Sequence, residues 1–519
     1  MELTPDRHHR GVRRLAGLLL VASLALASCG GSSAPSYNFN GTGYPNGNLA
    51  NTRYSGGPID SATVKQLGVA WHMPITAKSL YGAYSSSPVV ADGVIYSQDL
   101  ESNVQAIELR TGKVLWSKNY ESADQGPNGL SVGGGRVYGA TATSAFALNE
   151  KTGAQEWTVE LTRNAHEGID MAPGYHSGIV YIATVPGNNA KFYAPGGDGI
   201  LWALQASSGK KLWSFNTSAS ENLWGNPSVN AGGGVWYAPA FDEQGSIYFG
   251  TGNPAPFPGT AQHPWGSSRP GPDLYNDSLV KLNASTGKLQ WYYQAFPHDL
   301  YDRDLQDPPM LMSVGGKQVV VTAGKGGFVY ELERATGKLL WKRAVGKHNG
   351  HDEDGLYAMK HEYAKLHMPE TVEPGLLGGV IAPLATNGTT IFAPVVNIPV
   401  HYTSQTENTE GPESSGELVA LNAATGAPEW VQKLSSPAFG AATAVNDLVF
   451  ATISSGTVYA FDDSTGDVAW QAQLPAGSNT GVAVSGNTVI APAGLPTKEG
   501  QTPELVAYQL GASGGGEAG

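Results

Sequence analysis

Apolar and polar positions along this chain alternate in short runs that recur as a fixed phrase. An apolar run such as NVQAIEL, GILWAL, ELVAL or TVYAF leads into a polar turn ending in Thr-Gly or Ser-Gly, then three residues, then a tryptophan. The copies end at Trp116, Trp157, Trp213, Trp291, Trp341, Trp430 and Trp470, as in ELRTGKVLW and DDSTGDVAW. Run, glycine turn and returning run predict a β-hairpin, with glycine supplying the positive φ that the turn needs. The tryptophans stand between 40 (470−430) and 89 (430−341) residues apart. A period near the lower figure, stretched by insertions, marks a repeat array. Each indole is large enough to anchor the packing of its unit.

The two ends carry unmatched halves of the phrase. ELVAYQL, from Glu504 to Leu510, reads as an outgoing strand with no Gly-x-x-x-Trp after it, and VKQLGVAWHM carries Trp71 with no outgoing strand before it. Joined, they make one more hairpin, which closes a ring and removes open sheet edges. The expectation is an all-β, eight-bladed β-propeller of four-stranded blades over residues 56–510. A linear solenoid would need polar caps instead of complementary half-units.

Composition fits many tight turns between short strands: 68 glycines, 33 prolines and 14% charged residues, against about 25% charge in an average soluble domain. The net charge of −13, with no basic run beyond the first fourteen residues, excludes a nucleic-acid partner. Cys29 is the sole cysteine, so neither an internal disulfide nor a Cys-x-x-Cys-His haem attachment can form. It follows Arg7, Arg10, Arg13, Arg14 and the run LAGLLLVASLALA, which is too short to span a membrane comfortably. The segment LASC resembles the lipobox of bacterial lipoproteins. That likeness implies a signal peptide over 1–28, lipidation at Cys29 and an exported, membrane-anchored envelope protein. Residues 29–55 then read as tether and lead-in, and 511–519 as a disordered glycine-rich tail.

Candidate chemistry sits in the long intervals. They contain GGGVWYAPAFDEQGSIYFGTGNPAPFPG, then WYYQAFPHDLYDRDLQDPPML, then VVVTAGKGGFVYELERATG; near the start stands NGNLANTRYSGGPIDSATVKQLGVAW. Across residues 44–345 these resemble the propeller of pyrroloquinoline-quinone (PQQ) alcohol dehydrogenases. The resemblance implies that Asn253 is a calcium ligand and that Asp302 is the general base and also reaches the metal. It implies further that Lys325 is the cation at the quinone oxygens and Trp236 the floor under the cofactor ring. A carboxylate at the substrate hydroxyl, a hard cation and an aromatic floor suit oxidation of an alcohol by a bound quinone, which itself accepts the hydride. Read without the family, Asn253 serves a Gly-Asn-Pro turn, Asp302 joins Asp299, Asp304 and Asp307 in a solvated acidic loop, Trp236 fills a blade core, and Lys325 is an exposed turn lysine.

The chain also departs from that pattern. The loop after YIATV reads PGNNAKFYAPGGDG, without the family's glutamate; Asn188 or Asn189 in its place would weaken calcium binding. The paired cysteines are absent. Asn128 stands where an arginine gripping a cofactor carboxylate is expected, and GAYSSSPVV lacks the expected acid before Ser-Thr-Pro. These losses support a second expectation, a non-catalytic lipoprotein propeller that binds protein partners, like the outer-membrane assembly factor sharing these repeats. The insertion GKHNGHDEDGLYAMKHEYAKLHMPE, with His348, His351, His361 and His367, reads as a lid or side loop and lacks the HExxH spacing of a zinc protease.

Overall fold

The computed structural model describes residues 43–188, 191–218 and 222–513. Cys29, the segments on either side of it up to residue 42, Asn189 and residues 514–519 lie outside them.

Among the described residues, eight sheets have four or five strands, and in most of them chain order is also spatial order. One such unit runs Val89–Ala91, Val94–Gln98, Val104–Glu108 and Val114–Lys118, each strand antiparallel to the next. The middle strands are apolar and buried on both faces, as in Ile95, Val104, Ala106 and Ile107, because neighbouring sheets cover them. The fourth strand alternates and is half exposed. Its hairpin slips register by one residue at Ala106/Ile107, and the corresponding hairpins of Trp157, Trp213, Trp291, Trp341, Trp430 and Trp470 slip at the same point. The shared bulge sets every tryptophan in one orientation.

That orientation serves the next unit rather than the tryptophan's own. Trp116 Nε1 donates to the carbonyl of Glu150 at 3.0 Å, and a Cβ on Gly153 would stand 2.5 Å from the Trp116 ring. Trp71 treats Leu109 and Gly112 in the same way, and Trp341 treats Ala423 and Gly426. The glycine of each Thr-Gly turn is therefore required twice, for its positive φ (69° at Gly153) and for the indole lying on it. The sequence reading placed the anchor within each unit; the structure places it between units.

The two unmatched half-phrases pair. Leu67–Pro74 lies antiparallel to Glu504–Leu510, with Val69 opposite Tyr508 and Trp71 opposite Ala507, in a sheet completed by Thr488–Ala493 and Ala483–Ser485. The lead-in is tightly held. Asn51 Nδ2 bonds the carbonyls of Ala238 and Pro309 at 3.1 and 3.2 Å, and Arg53 bonds those of Ala442 and Val482 at 2.6 and 3.2 Å. Carbonyls from widely separated repeats thus converge on one short segment. The long insertion between Trp341 and Trp430 folds as a helix, Asp354–Met359, and a sheet of Glu370–Val372, Val400–Tyr402 and Asn408–Glu410. Val372, Val400 and Tyr402 share an apolar cluster with Leu300 and Tyr301, which seats the insertion against the loop bearing Asp302.

Candidate active site around Asp302 and Lys325

Three loops build the site. In GTGNP, which follows the strand Ser246–Gly250, the backbone N–H of Asn253 donates to Asp304 Oδ1 at 2.6 Å. A Cβ on Gly252 would lie 2.7 Å from Asp304 Oδ1 and 2.9 Å from Trp236 Nε1, so only glycine lets the acid and the indole edge meet the same backbone. In AGKGG, Lys325 N donates to the carbonyl of Asp304 at 3.0 Å. Lys325 Nζ then sits 2.9 Å from Asp302 Oδ2 and 2.7 Å from Asp304 Oδ2. In HDLYDRD, Asp299 folds its own loop by accepting the N–H groups of Tyr301 and Arg303 at 2.9 and 2.7 Å. Asp302, at φ 62°, is turned out of that loop in a left-handed conformation.

Across 89 positions (325−236), Asn253 and Lys325 thus meet on Asp304, Lys325 carries Asp302, and Trp236 lies against Gly252 beside them. Trp236, Asn253, Asp302 and Lys325 are all buried, at 7%, 0%, 4% and 6% exposure. Asp299, Asp304 and Asp307 are also buried, so the acids do not form a solvated loop and Lys325 is not on an exposed turn. Burial pushes the Asp302 carboxyl well above the usual carboxylate range, with Lys325 pulling it back and Asp304 pushing it further up. Burial works against the Lys325 ammonium, yet the two carboxylates raise its pKa above the ordinary lysine value. Asp302 Oδ1 has no hydrogen-bond partner.

Sequence reasoning missed several participants. Asp304 is the hub; in the sequence it stood only as one of four acids in HDLYDRDLQD. The hydroxyl of Tyr193 donates to Asn253 Oδ1 from the loop where the family glutamate was sought. Asp277 is fully buried beside this group, and burial, then Asp299 and Asp304, raise its carboxyl well above the usual range. Asn188 donates its amide to the carbonyl of Ala165 at 3.0 Å.

The insertion locks the far side. Tyr301 OH donates to Asp354 Oδ2 at 2.8 Å, His351 Nδ1 meets the same oxygen at 2.8 Å, and Arg303 donates to the carbonyl of Pro374 at 3.1 Å. The neighbours of Asp302 on both sides are therefore tied to it.

A second pair of buried acids lies at the Gln125–Gly126 turn. Asp124 and Asp170, 1% and 2% exposed, are held by consecutive backbone N–H groups of one turn. Gly126 N–H holds Asp124 Oδ1 at 3.0 Å, and Gln125 N–H approaches Asp170 Oδ1 at 3.3 Å. Burial raises the Tyr81 hydroxyl above its ordinary value, with Lys325 opposing the shift and Asp302 adding to it.

The family described as "Glucose/ethanol/alcohol dehydrogenase, beta-propeller domain" matches residues 44–134 and 175–349. The chain belongs to this family of PQQ-dependent alcohol dehydrogenase propellers. A second family, "Outer membrane protein assembly factor BamB", matches residues 377–509. Among known relatives, a quinohemoprotein alcohol dehydrogenase of Comamonas testosteroni is 28% identical over 85% of this chain and 69% of its own length. The quinohemoprotein alcohol dehydrogenase ADH IIB of Pseudomonas putida is 32% identical over 56% of this chain and 45% of its own. The solved structure of quinohemoprotein alcohol dehydrogenase ADHIIG from Pseudomonas putida HK5 superposes with a TM-score of 0.79 at 22% identity, covering 93% of this chain and 82% of that one. That likeness shows a propeller-type fold.

This family implies a bound quinone. The indole of Trp236, the Lys325 ammonium and the open Asp302 Oδ1 fit a flat quinone presenting carbonyl oxygens. A cation would rest on Asp302 Oδ1 and on the second lone pair of Asn253 Oδ1, whose first takes the Tyr193 hydroxyl. The wall at Asn128 offers no cation to a cofactor carboxylate: Asn128 Nδ2 is committed to the carbonyl of Asp99 at 2.7 Å, and the Asp124–Asp170 pair lies beside it.

Proposed function

We propose that this protein is a quinoprotein oxidoreductase of the cell envelope that oxidises an alcohol-type substrate. In this reading the eight sheets are the blades of one propeller, the sheet of Leu67–Pro74 and Glu504–Leu510 closes the ring, and lipidated Cys29 anchors the chain to a bacterial membrane. The observation that carries the function is the meeting of Lys325 and Asn253 on Asp304, with Asp302 paired to Lys325 and Trp236 against Gly252.

Bound PQQ would supply the two-electron acceptor, and calcium would sit loosely at Asn253 and Asp302 because one of these two ligands is neutral. The chain's own residues do the rest. Asp302 Oδ1 takes the substrate hydroxyl proton; its elevated pKa makes it a stronger base than an exposed carboxylate once ionised. Lys325 fixes Asp302 through Oδ2, leaving Oδ1 turned to the substrate, and its charge stabilises the ionised base. Asp304 holds Lys325 and the Asn253 backbone in register. The test is titration of purified protein with PQQ, with and without calcium, followed by quenching of tryptophan fluorescence. One equivalent bound, with dye reduction on adding a primary alcohol, supports the reading; no binding at any calcium level overturns it.

The BamB match over 377–509 favours a second reading, a protein-binding scaffold. It predicts capture of an envelope protein partner by a chain that binds no quinone.

A further inference from the structure

The long insertion encloses a cavity that the site around Asp302 does not use. Its volume is about 450 Å³, within the ~300–1,000 Å³ of small-molecule pockets. It lies where the insertion helix meets the HDLYD loop: a Cβ on Gly355 would stand 2.3 Å from the carbonyl oxygen of His298. Tyr301 and Arg303 line it, whereas Asp302 and Lys325 do not. Phe296, Phe328 and Tyr357 supply apolar walls. Two cations stand against these rings. Lys342 Nζ lies 3.6 Å from the Phe328 ring centre and 5.7 Å from that of Phe296. The Arg303 guanidinium lies 6.0 Å from the Phe296 ring and 5.6 Å from that of Tyr301. Arg303 donates to the carbonyls of Pro374 and His351, at 3.1 and 3.5 Å. Among the described residues, its remaining N–H groups and the whole Lys342 ammonium meet no acceptor. The acids around the cavity are engaged elsewhere. Asp299 accepts the N–H groups of Tyr301 and Arg303, and Asp352 pairs with His348 Nδ1 at 3.1 Å. Glu353 is exposed, and it and Asp352 act on Lys342 only at longer range.

We propose that this cavity is a second binding site, which takes a small carboxylate with a flat apolar body. The carboxylate oxygens supply the acceptors that Arg303 and Lys342 lack, and hydrogen bonds between such charged groups are the strong kind. The flat body covers the rings of Phe296 and Phe328, where offset contact between faces is favourable. A cationic ligand fits worse, because two positive charges already line the wall and the carboxyl groups of Asp299 and Asp352 already hold donors. The inference goes beyond the quinoprotein reading and does not depend on it, since Trp236, Asn253, Asp302, Asp304 and Lys325 are all absent from the lining. Arg303 follows Asp302 directly, so a bound carboxylate adds a second hold on the loop that presents the proposed base.

The experiment uses benzoate as the probe, with benzamide and benzylamine as its uncharged and cationic counterparts. Kd is measured by ligand-observed NMR on the full chain, on Lys342→Met and on Lys342→Arg, with folding checked by circular dichroism. Lys342 is exposed on the outer strand Leu339–Ala344, so both changes leave the core intact. The expected result is that the wild type binds benzoate in preference to both counterparts. Lys342→Met should weaken benzoate on the order of tenfold, the equivalent of one charged hydrogen bond, and leave benzamide unchanged. Lys342→Arg, which keeps charge and donors, should retain the wild-type affinity. No binding of benzoate by the wild type, benzylamine bound as tightly as benzoate, or unchanged benzoate affinity in Lys342→Met would each overturn the proposal. So would equal weakening in both variants. Titration of the same samples with PQQ tests the quinoprotein reading separately.

Discussion

Asp304 holds the backbone N–H of Asn253 on one carboxylate oxygen and the Lys325 ammonium on the other, at 2.6 and 2.7 Å. One fully buried side chain thereby fixes the spacing between the proposed cation ligand and the proposed base's partner. Asp304→Asn retains a hydrogen-bond acceptor but removes the charge. It should lower turnover while PQQ still binds, and Lys325 should then pair with Asp302 alone. Turnover equal to wild type would show that Asp304 does not position the site.

Lys325 is a buried ammonium between two buried carboxylates. Replacing it with methionine keeps the bulk and strands both charges, a loss of roughly 3–5 kcal/mol by analogy with broken buried pairs. Chemical denaturation should show a lower midpoint with an unchanged slope. A midpoint within error of wild type would mean that the contacts of Lys325 with Asp302 and Asp304 add nothing to stability.

Gly153 carries both a left-handed φ and the Trp116 ring. Gly153→Ala must strain the backbone and push the indole aside, and overpacking of this kind costs about 1–3 kcal/mol. The loss should appear as a lower Tm with no change in quinone affinity. A glycine at a turn without such a ring, Gly178, meets nothing within 4 Å, and alanine there should cost less.

The pH dependence of stability has a definite sign at Asp170. Its folded pKa is raised, so the folded state favours the protonated form, and stability declines as pH rises from the unfolded value of about 3.9. Asp170→Asn removes that decline. Its Tm should exceed wild type at pH 7, with the gap closing towards pH 4. A gap independent of pH would contradict a carboxyl raised by burial.

His351 behaves oppositely. Its pKa is raised, first by the hydrogen bond to Asp354 against the opposing effect of burial, with Glu370 adding and Arg303 subtracting. The stability it lends is complete below the ordinary 6.5 and is lost as pH rises through the raised value. Hydrogen exchange over residues 346–411 should be slower at pH 6 than at pH 8.5, after correction for intrinsic rates. His351→Gln should remove the difference.

The repeat was legible because hairpins are local: apolar run, Thr-Gly or Ser-Gly turn and tryptophan follow one another in a single short stretch of chain. What the tryptophan touches was not legible, since the Glu150 carbonyl and Gly153 belong to the next phrase. Trp236, Asn253, Asp302 and Lys325 were legible as letters of a family pattern. Their meeting around Asp304 depends on two glycines, Gly252 and Gly324, that let backbones close on one acid, and spacing carries no trace of that. Tyr193 reaches Asn253 across sixty positions. Asp170 left one sign, a lone charge in the apolar stretch GIDMAP, which once buried needs a partner or a proton.

The most direct test of the account separates binding from chemistry at Asp302. Wild type and Asp302→Asn would be loaded with PQQ and calcium, and bound quinone and alcohol-dependent dye reduction measured on the same samples. The account predicts near-equal quinone occupancy and a fall in turnover of about 10²–10⁴-fold in the variant, as for a positioned acid–base group. Undiminished alcohol oxidation by Asp302→Asn would contradict it.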